Sequence, residues 1–286
     1  MLIGRQMRVK YVIWVLLLLM TAILTACKKN STSLVTPPDD DTTPVETINY
    51  KLRAIHQNIT PNSGGYYEAL PPSYDTSTQK FPLLVFIHGG GEIGNGSEQE
   101  LPLILIHSVP KRIANKTLPV KFTYGGKDFS FIVIMPQFRM RATSSNVKEV
   151  MNYILERYRV DSSRIYMSGL SQGGGVTWEF AGSKHGNMLA AIVPICGASW
   201  ADTIAAKRIA SNKVPAWAFH NNDDDLVPVS STWRYANIIN AENPQVPVRV
   251  TIWPTGGHDA WTMASDPNYR EEGKNMYEWM LQYRKE

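Results

Sequence analysis

A chain of 286 residues with 43% hydrophobic and 19% charged side chains carries enough apolar material for one large core, which excludes a disordered or fibrous protein. The formal charge of +4 owes much to Arg5, Arg8 and Lys10; without that cluster the balance is nearly even, and no nucleic-acid surface is implied. Two cysteines, Cys27 and Cys196, are too few for a disulfide framework.

Arg5, Arg8 and Lys10 precede a nearly unbroken apolar run over 11–24, and Leu24-Thr25-Ala26-Cys27 closes it. The run is short for a bilayer span and has the plan of an export signal. A cysteine directly after small residues resembles the lipobox of bacterial lipoproteins. The resemblance implies a signal peptide over 1–26, cleavage before Cys27 and a diacylglycerol on its sulfur. The domain would then be anchored to a membrane on its periplasmic or cell-surface face. Residues 27–47 read as a disordered tether, rich in Ser, Thr, Pro and Asp and without apolar periodicity. Its Asp39-Asp40-Asp41 run reads as solvated linker, not as a metal site.

The globular domain is expected over 48–286. Residues 48–55 and 66–70 predict two paired leading strands, with Pro61-Asn62-Ser63-Gly64-Gly65 as the turn between them. Residues 81–87 form a continuous apolar run suited to a strand covered on both faces, ending in His88-Gly89-Gly90-Gly91-Glu92. A further buried strand is expected over 129–135. An amphipathic helix follows over 146–158, with Asn146 and Glu149 as its capping box. Strands over 191–195, 214–219 and 246–253 alternate with helical stretches, and a last helix is expected over 268–283. This alternation predicts a three-layer α/β domain around a mostly parallel sheet. Cys196, closing the apolar run 192–196, reads as a buried structural thiol.

Gly169-Leu170-Ser171-Gln172-Gly173 lies between the apolar strand 165–167 and a helical stretch from Val176. Strand, tight turn and helix make this pattern a nucleophile elbow with Ser171 at its apex. Gly169 and Gly173 leave room for the strained turn, and Gly174 lets the helix approach the strand. A serine hydroxyl needs a base, and a carboxylate orients that base. In folds with such an elbow the chain order is Ser, acid, His. Of the six histidines only His258 follows every plausible acid, in Thr255-Gly256-Gly257-His258-Asp259-Ala260-Trp261 after the last strand. The acid is expected after the preceding strand, where Asp223, Asp224 and Asp225 stand in a row. Only one of them can face His258, and the others would be solvated or cap the next helix. Oxyanion donors are expected from the amides of Gln172 and Gly90, with Gly91 second to Gly90. Trp200 and Trp261, each just beyond a strand of the site, are candidate substrate-binding residues or ordinary rim tryptophans. No cofactor and no metal is implied.

Pro71-Pro72-Ser73-Tyr74-Asp75, Phe86-Ile87-His88-Gly89-Gly90-Gly91-Glu92, Tyr158-Arg159-Val160-Asp161 and the elbow together resemble the secreted esterases of the α/β-hydrolase superfamily. The group includes feruloyl and acetyl-xylan esterases, polyhydroxybutyrate depolymerases and exported hydrolases labelled predicted peptidases. The resemblance runs from about Tyr66 to the C-terminus. It implies an α/β-hydrolase fold and a serine carboxylic-ester hydrolase acting on polysaccharide or related esters. The family's His-Gly-x-x-Asp-x-x-Val-Pro block falls on His220, Asp224, Val227 and Pro228, which selects Asp224 as the acid; its Gly-His motif falls on His258. Asn221 replaces the glycine of the block, and Gln172 replaces a methionine after the nucleophile. A serine peptidase with the same triad, or an inactive binding lipoprotein, are the competing readings.

Overall fold

The computed structural model describes residues 49–286; the expected export signal, Cys27 and the expected tether lie outside the described residues. In chain order the elements are β1 (Lys51–Ile55), β2 (Ser63–Leu70), β3 (Phe81–Ile87), α1 (Ser108–Ala114), β4 (Phe122–Tyr124), β5 (Lys127–Phe129), β6 (Ile132–Phe138) and α2 (Ser144–Arg157). They continue as β7 (Val160–Leu170), α3 (Gln172–Ala181), β8 (Ala191–Ile195), α4 (Thr203–Ser211), β9 (Trp217–Asn221), α5 (Ser230–Ala241), β10 (Arg249–Trp253), α6 (Trp261–Ala264) and α7 (Met276–Leu281). Eight strands make one sheet in the order β1-β2-β6-β3-β7-β8-β9-β10, and β4 and β5 form a separate hairpin. β1 and β2 pair antiparallel, as do β2 and β6; the six strands from β6 to β10 run parallel.

The sequence pattern explains the layering. Every residue of β3 is buried, and successive side chains point to opposite faces. Leu83, Val85 and Ile87 join a core with Val147 and Val150 of α2, Trp178 of α3, Ile209 of α4 and Tyr235 of α5. Leu84 and Phe86 join a second core with Val109 of α1, Ala264 of α6 and Tyr277 of α7. The sheet is therefore covered on both sides, as a near-continuous apolar strand demands. No helix among the described residues is long and apolar enough to cross a membrane.

Four local expectations are corrected. The first turn is narrower, with Thr60 bridging to Ser63. Gly64 and Gly65 belong to β2, where a Cβ on Gly64 would stand 1.9 Å from the Asn95 carbonyl oxygen. Phe129 ends the β4–β5 hairpin, so the buried strand starts at Ile132. The capping box of α2 is Thr143 with Asn146: Thr143 Oγ1 accepts from the Asn146 amide at 3.2 Å, and Asn146 Oδ1 accepts from the Thr143 amide at 3.1 Å. Thr143 holds the extended backbone an N-cap requires, which moves the start of the helix back to Ser144. The last helix is short, because Glu272 (φ 52°) and Gly273 (φ 77°) turn the chain and Asn275 then caps α7 through the amides of Tyr277 and Glu278.

Candidate active site

β7 feeds directly into α3, and Ser171 sits between them at φ 52°, ψ −119°. This is a costly conformation for a residue with a side chain, about 1–3 kcal/mol. The surroundings hold it there. The Ser171 amide donates to the Ile195 carbonyl at 2.9 Å, and its own carbonyl accepts from Ala198 at 2.8 Å and Gly175 at 3.0 Å. The flanking glycines are a matter of space: a Cβ on Gly169 would meet the Gly173 carbonyl oxygen at 2.5 Å, and one on Gly173 would meet the Ile87 carbonyl oxygen at 2.1 Å. Gly174 gives clearance chiefly toward β8, with the Ile195 oxygen at 2.5 Å, and also toward β7, with the Gly169 oxygen at 3.1 Å.

The parallel strands end on the same side of the sheet, so the loops after β7, β9 and β10 meet there. His258 Nε2 lies 2.8 Å from Ser171 Oγ, and His258 Nδ1 lies 2.7 Å from Asp224 Oδ2. Asp224 is buried, and its Oδ1 accepts from the amides of Leu226 at 3.0 Å and Val227 at 2.9 Å. Burial alone raises its pKa; the Val227 amide and His258 outweigh it, and the carboxyl is held below the usual range. Of the three aspartates, Asp224 faces His258 and Asp225 is exposed.

Asp223 is exposed, as expected, but it caps no helix. Its carboxylate accepts from the amides of Gly256 at 3.2 Å and Gly257 at 2.8 Å and so grips the loop that carries His258. Asn221 grips the same loop, its Nδ2 donating to the Gly257 carbonyl at 2.9 Å. The glycine-to-asparagine departure thus has a structural purpose, and Gly256 (φ 142°) yields the space, since a Cβ there would stand 2.5 Å from Asn221 Nδ2. His220 is fully buried behind Asp224. Its Nε2 is 2.9 Å from the Val227 carbonyl oxygen and 3.2 Å from Asp224 Oδ2, while Nδ1 is 2.8 Å from Thr232 Oγ1. Burial lowers its pKa, so it backs the carboxylate as a neutral ring.

A cleft opens over Ser171 and His258, walled by Gly89–Gly91, Glu92, His107 and Trp261. Gly90 starts a 3-10 turn that ends at Glu92. A Cβ on Gly90 would lie 3.8 Å from Gln172 Oε1, so the two residues expected as oxyanion donors flank the same space. The ring of Trp261 stands edge-on to His258 with centroids 5.3 Å apart, and it also meets His107 at 5.2 Å. Trp200 is elsewhere: it is 64% exposed, under the guanidinium of Arg234, and is not part of this cleft. Cys196 is buried at φ 39°, its thiol within 4.8 Å of ligand atoms of Asp224 and His258. Burial raises its pKa strongly; it is packing, with no thiolate to offer. Asp224 and His258 are committed to each other. His107 has no local signal in the sequence, and the contacts of Glu92, Asp223 and Asn221 are not legible there either, because their partners lie far away along the chain.

The arrangement can relay a proton from a serine hydroxyl through an imidazole braced by a carboxylate, the chemistry of acyl transfer. Comparison with known proteins agrees. The sequence matches the phospholipase/carboxylesterase family over residues 75–264. No curated protein matches it. Among solved structures, a thermostable esterase superposes with a TM-score of 0.58 at 22% identity, over 83% of this chain and 64% of that one. The chain thus spans less than two thirds of that enzyme. A ferulic acid esterase gives a TM-score of 0.54 at 17% identity over 75% and 93% of the two chains. A feruloyl esterase module from Clostridium thermocellum, complexed with sinapinate, gives 0.51 at 15% over 79% and 89%. At these identities the structural likeness bears on the fold, which is that of the α/β-hydrolases. The chain belongs to the phospholipase/carboxylesterase family of serine ester hydrolases.

Proposed function

We propose that this family member is an exported, lipid-anchored esterase that removes acyl groups from polysaccharide or related esters, with Ser171 as nucleophile, His258 as base and Asp224 as the group that orients it. The observation that carries the assignment is the unbroken hydrogen-bond chain from Asp224 through His258 to Ser171 at the floor of one cleft. Ser171 Oγ attacks the ester carbonyl and its proton passes to His258 Nε2. The oxyanion is held by the amides of Gln172 and Gly90. As the carbon–oxygen bond to the alcohol breaks, His258 returns the proton to the departing oxygen and an acyl-Ser171 remains. Water then gives a proton to His258 and its oxygen to the acyl carbon; as the bond from that carbon to Ser171 Oγ breaks, His258 passes the proton to Oγ, the acid leaves and Ser171 is restored.

Ser171→Ala tests the assignment. Hydrolysis of p-nitrophenyl acetate should fall by several orders of magnitude and fluorophosphonate labelling should vanish, with the fold intact. Turnover within tenfold of wild type refutes it. A panel of acetylated and feruloylated oligosaccharides beside peptide substrates tests the ester preference. The anchor rests on the sequence around Cys27: a clickable fatty acid should label wild type but not Cys27→Ala, and equal labelling of both removes it.

A further inference from the structure

Glu92 has no part in the mechanism above, yet it is 3% exposed and lines the cleft over Ser171. Its Oε2 is buried without a hydrogen-bond partner. Its Oε1 meets His107 Nε2 at 3.7 Å, beyond hydrogen-bond length. The Gly89 and Glu92 amides lie near this carboxyl without closing a hydrogen bond to Oε2, and a buried carboxyl oxygen left so costs stability; proteins retain such groups where a ligand completes them. A second unpartnered group belongs to the same wall: Trp261 Nε1, a donor, is buried with nothing to donate to. His107 lies between the two, against Glu92 on one side and the Trp261 ring on the other. The wall is close to the chemistry. A methyl group on Gly89 would stand 2.9 Å from Glu92 Oε2 and 3.6 Å from Ser171 Cβ.

The geometry points to a hydroxyl-recognition subsite: Glu92 accepts, and Trp261 Nε1 donates, a hydrogen bond with a free hydroxyl that the substrate carries beside its ester bond. A hydroxyl is the small group that donates and accepts at once, whereas an ammonium donates only. Burial raises the Glu92 carboxyl above its usual range, against the pull of the Gly89 and Glu92 amides, and burial likewise lowers His107. Both shifts favour a neutral partner over a charged one. The inference rests on the esterase reading and deepens it, since partly acylated sugars carry such neighbouring hydroxyls.

The test compares three ring-matched acetates: cyclohexyl acetate, the vicinal cyclohexanediol monoacetate, and dimethylaminocyclohexyl acetate. Wild type should prefer the diol monoacetate over cyclohexyl acetate by about tenfold in kcat/KM, the scale of one or two hydrogen bonds. Glu92→Met should bring that ratio to about one, and Glu92→Gln, which keeps an acceptor, should retain most of it. A wild-type ratio near one overturns the subsite. So does an equal loss on both esters in Glu92→Met, the mark of a merely structural carboxyl, or a preference for the ammonium ester. If Glu92→Met does not fold, the wild-type ratio and Glu92→Gln decide. A wild type inert toward all three and toward p-nitrophenyl acetate overturns the esterase reading instead, which is a distinct result.

Discussion

His88 should make this enzyme lose stability in mild acid. Its ring is buried directly before the Gly89–Gly91 turn. Nε2 accepts from the Phe138 amide at 3.0 Å and Nδ1 donates to the Gly89 carbonyl at 2.7 Å, so the neutral ring is fully used and a second ring proton has no acceptor. Burial pushes its pKa down to about 4, against the Gly89 hydrogen bond. An unfolded histidine titrates near about 6.5. Between these two values the unfolded chain binds a proton that the folded chain refuses, so stability falls as pH falls, at about 1.4 kcal/mol per unit. The window is about 2.5 units wide, and a contribution to stability of about 3 kcal/mol is present in full above pH 6.5 and gone near pH 4. His220, also lowered by burial, adds a loss of the same sign, and Glu92, raised by burial, opposes it. Urea unfolding from pH 7 to 4.5, for wild type and His88→Gln, separates the His88 share because the other groups are common to both. The variant should be weaker at pH 7 and have the shallower slope. Identical slopes refute the argument.

Asp224→Asn should lower turnover by at least about a hundredfold, while exposed Asp225→Asn stays within about threefold; kcat on p-nitrophenyl acetate decides. Asp223→Ala releases the amides of Gly256 and Gly257. It should cost about ten- to a hundredfold in kcat while circular dichroism stays native, since small displacements of a base carry penalties of that size. Gly173→Ala puts a Cβ 2.1 Å from the Ile87 oxygen. It should destabilise by more than about 4 kcal/mol or abolish soluble expression, and a Tm close to wild type would contradict the close approach described here.

Ser171 and His258 were legible because their signals are local: a glycine-framed turn between strand and helix, and a histidine beyond the last strand. Both follow from steric rules that act within a few residues. Choosing among three adjacent aspartates required the family block, since adjacent side chains in a loop carry no periodicity. The gripping roles of Asn221 and Asp223 were illegible for another reason. Each depends on a loop 33 to 36 residues away. The capping of α2 is ambiguous in sequence because Asn146 and Thr143 are both good caps, and the choice is made by which backbone is extended. Trp200 looked equivalent to Trp261 by its place after a strand, yet the chain after β8 carries it to the surface under Arg234.

Ser171 and His258, the two ends of the proposed proton transfer, rest on unequal foundations. Ser171 leaves β7, which has a paired strand on either side; His258 leaves β10, the sheet's last strand, paired with β9 alone and fully burying one of its five residues. Edge strands open at lower free energy than central ones. Amide exchange should therefore be fast along 249–258 and slow along 165–170. On warming, the base should drift from the nucleophile while the interior is still solid. Heat inactivation then begins as fraying at one rim, and an enzyme stopped at that stage regains its activity on cooling.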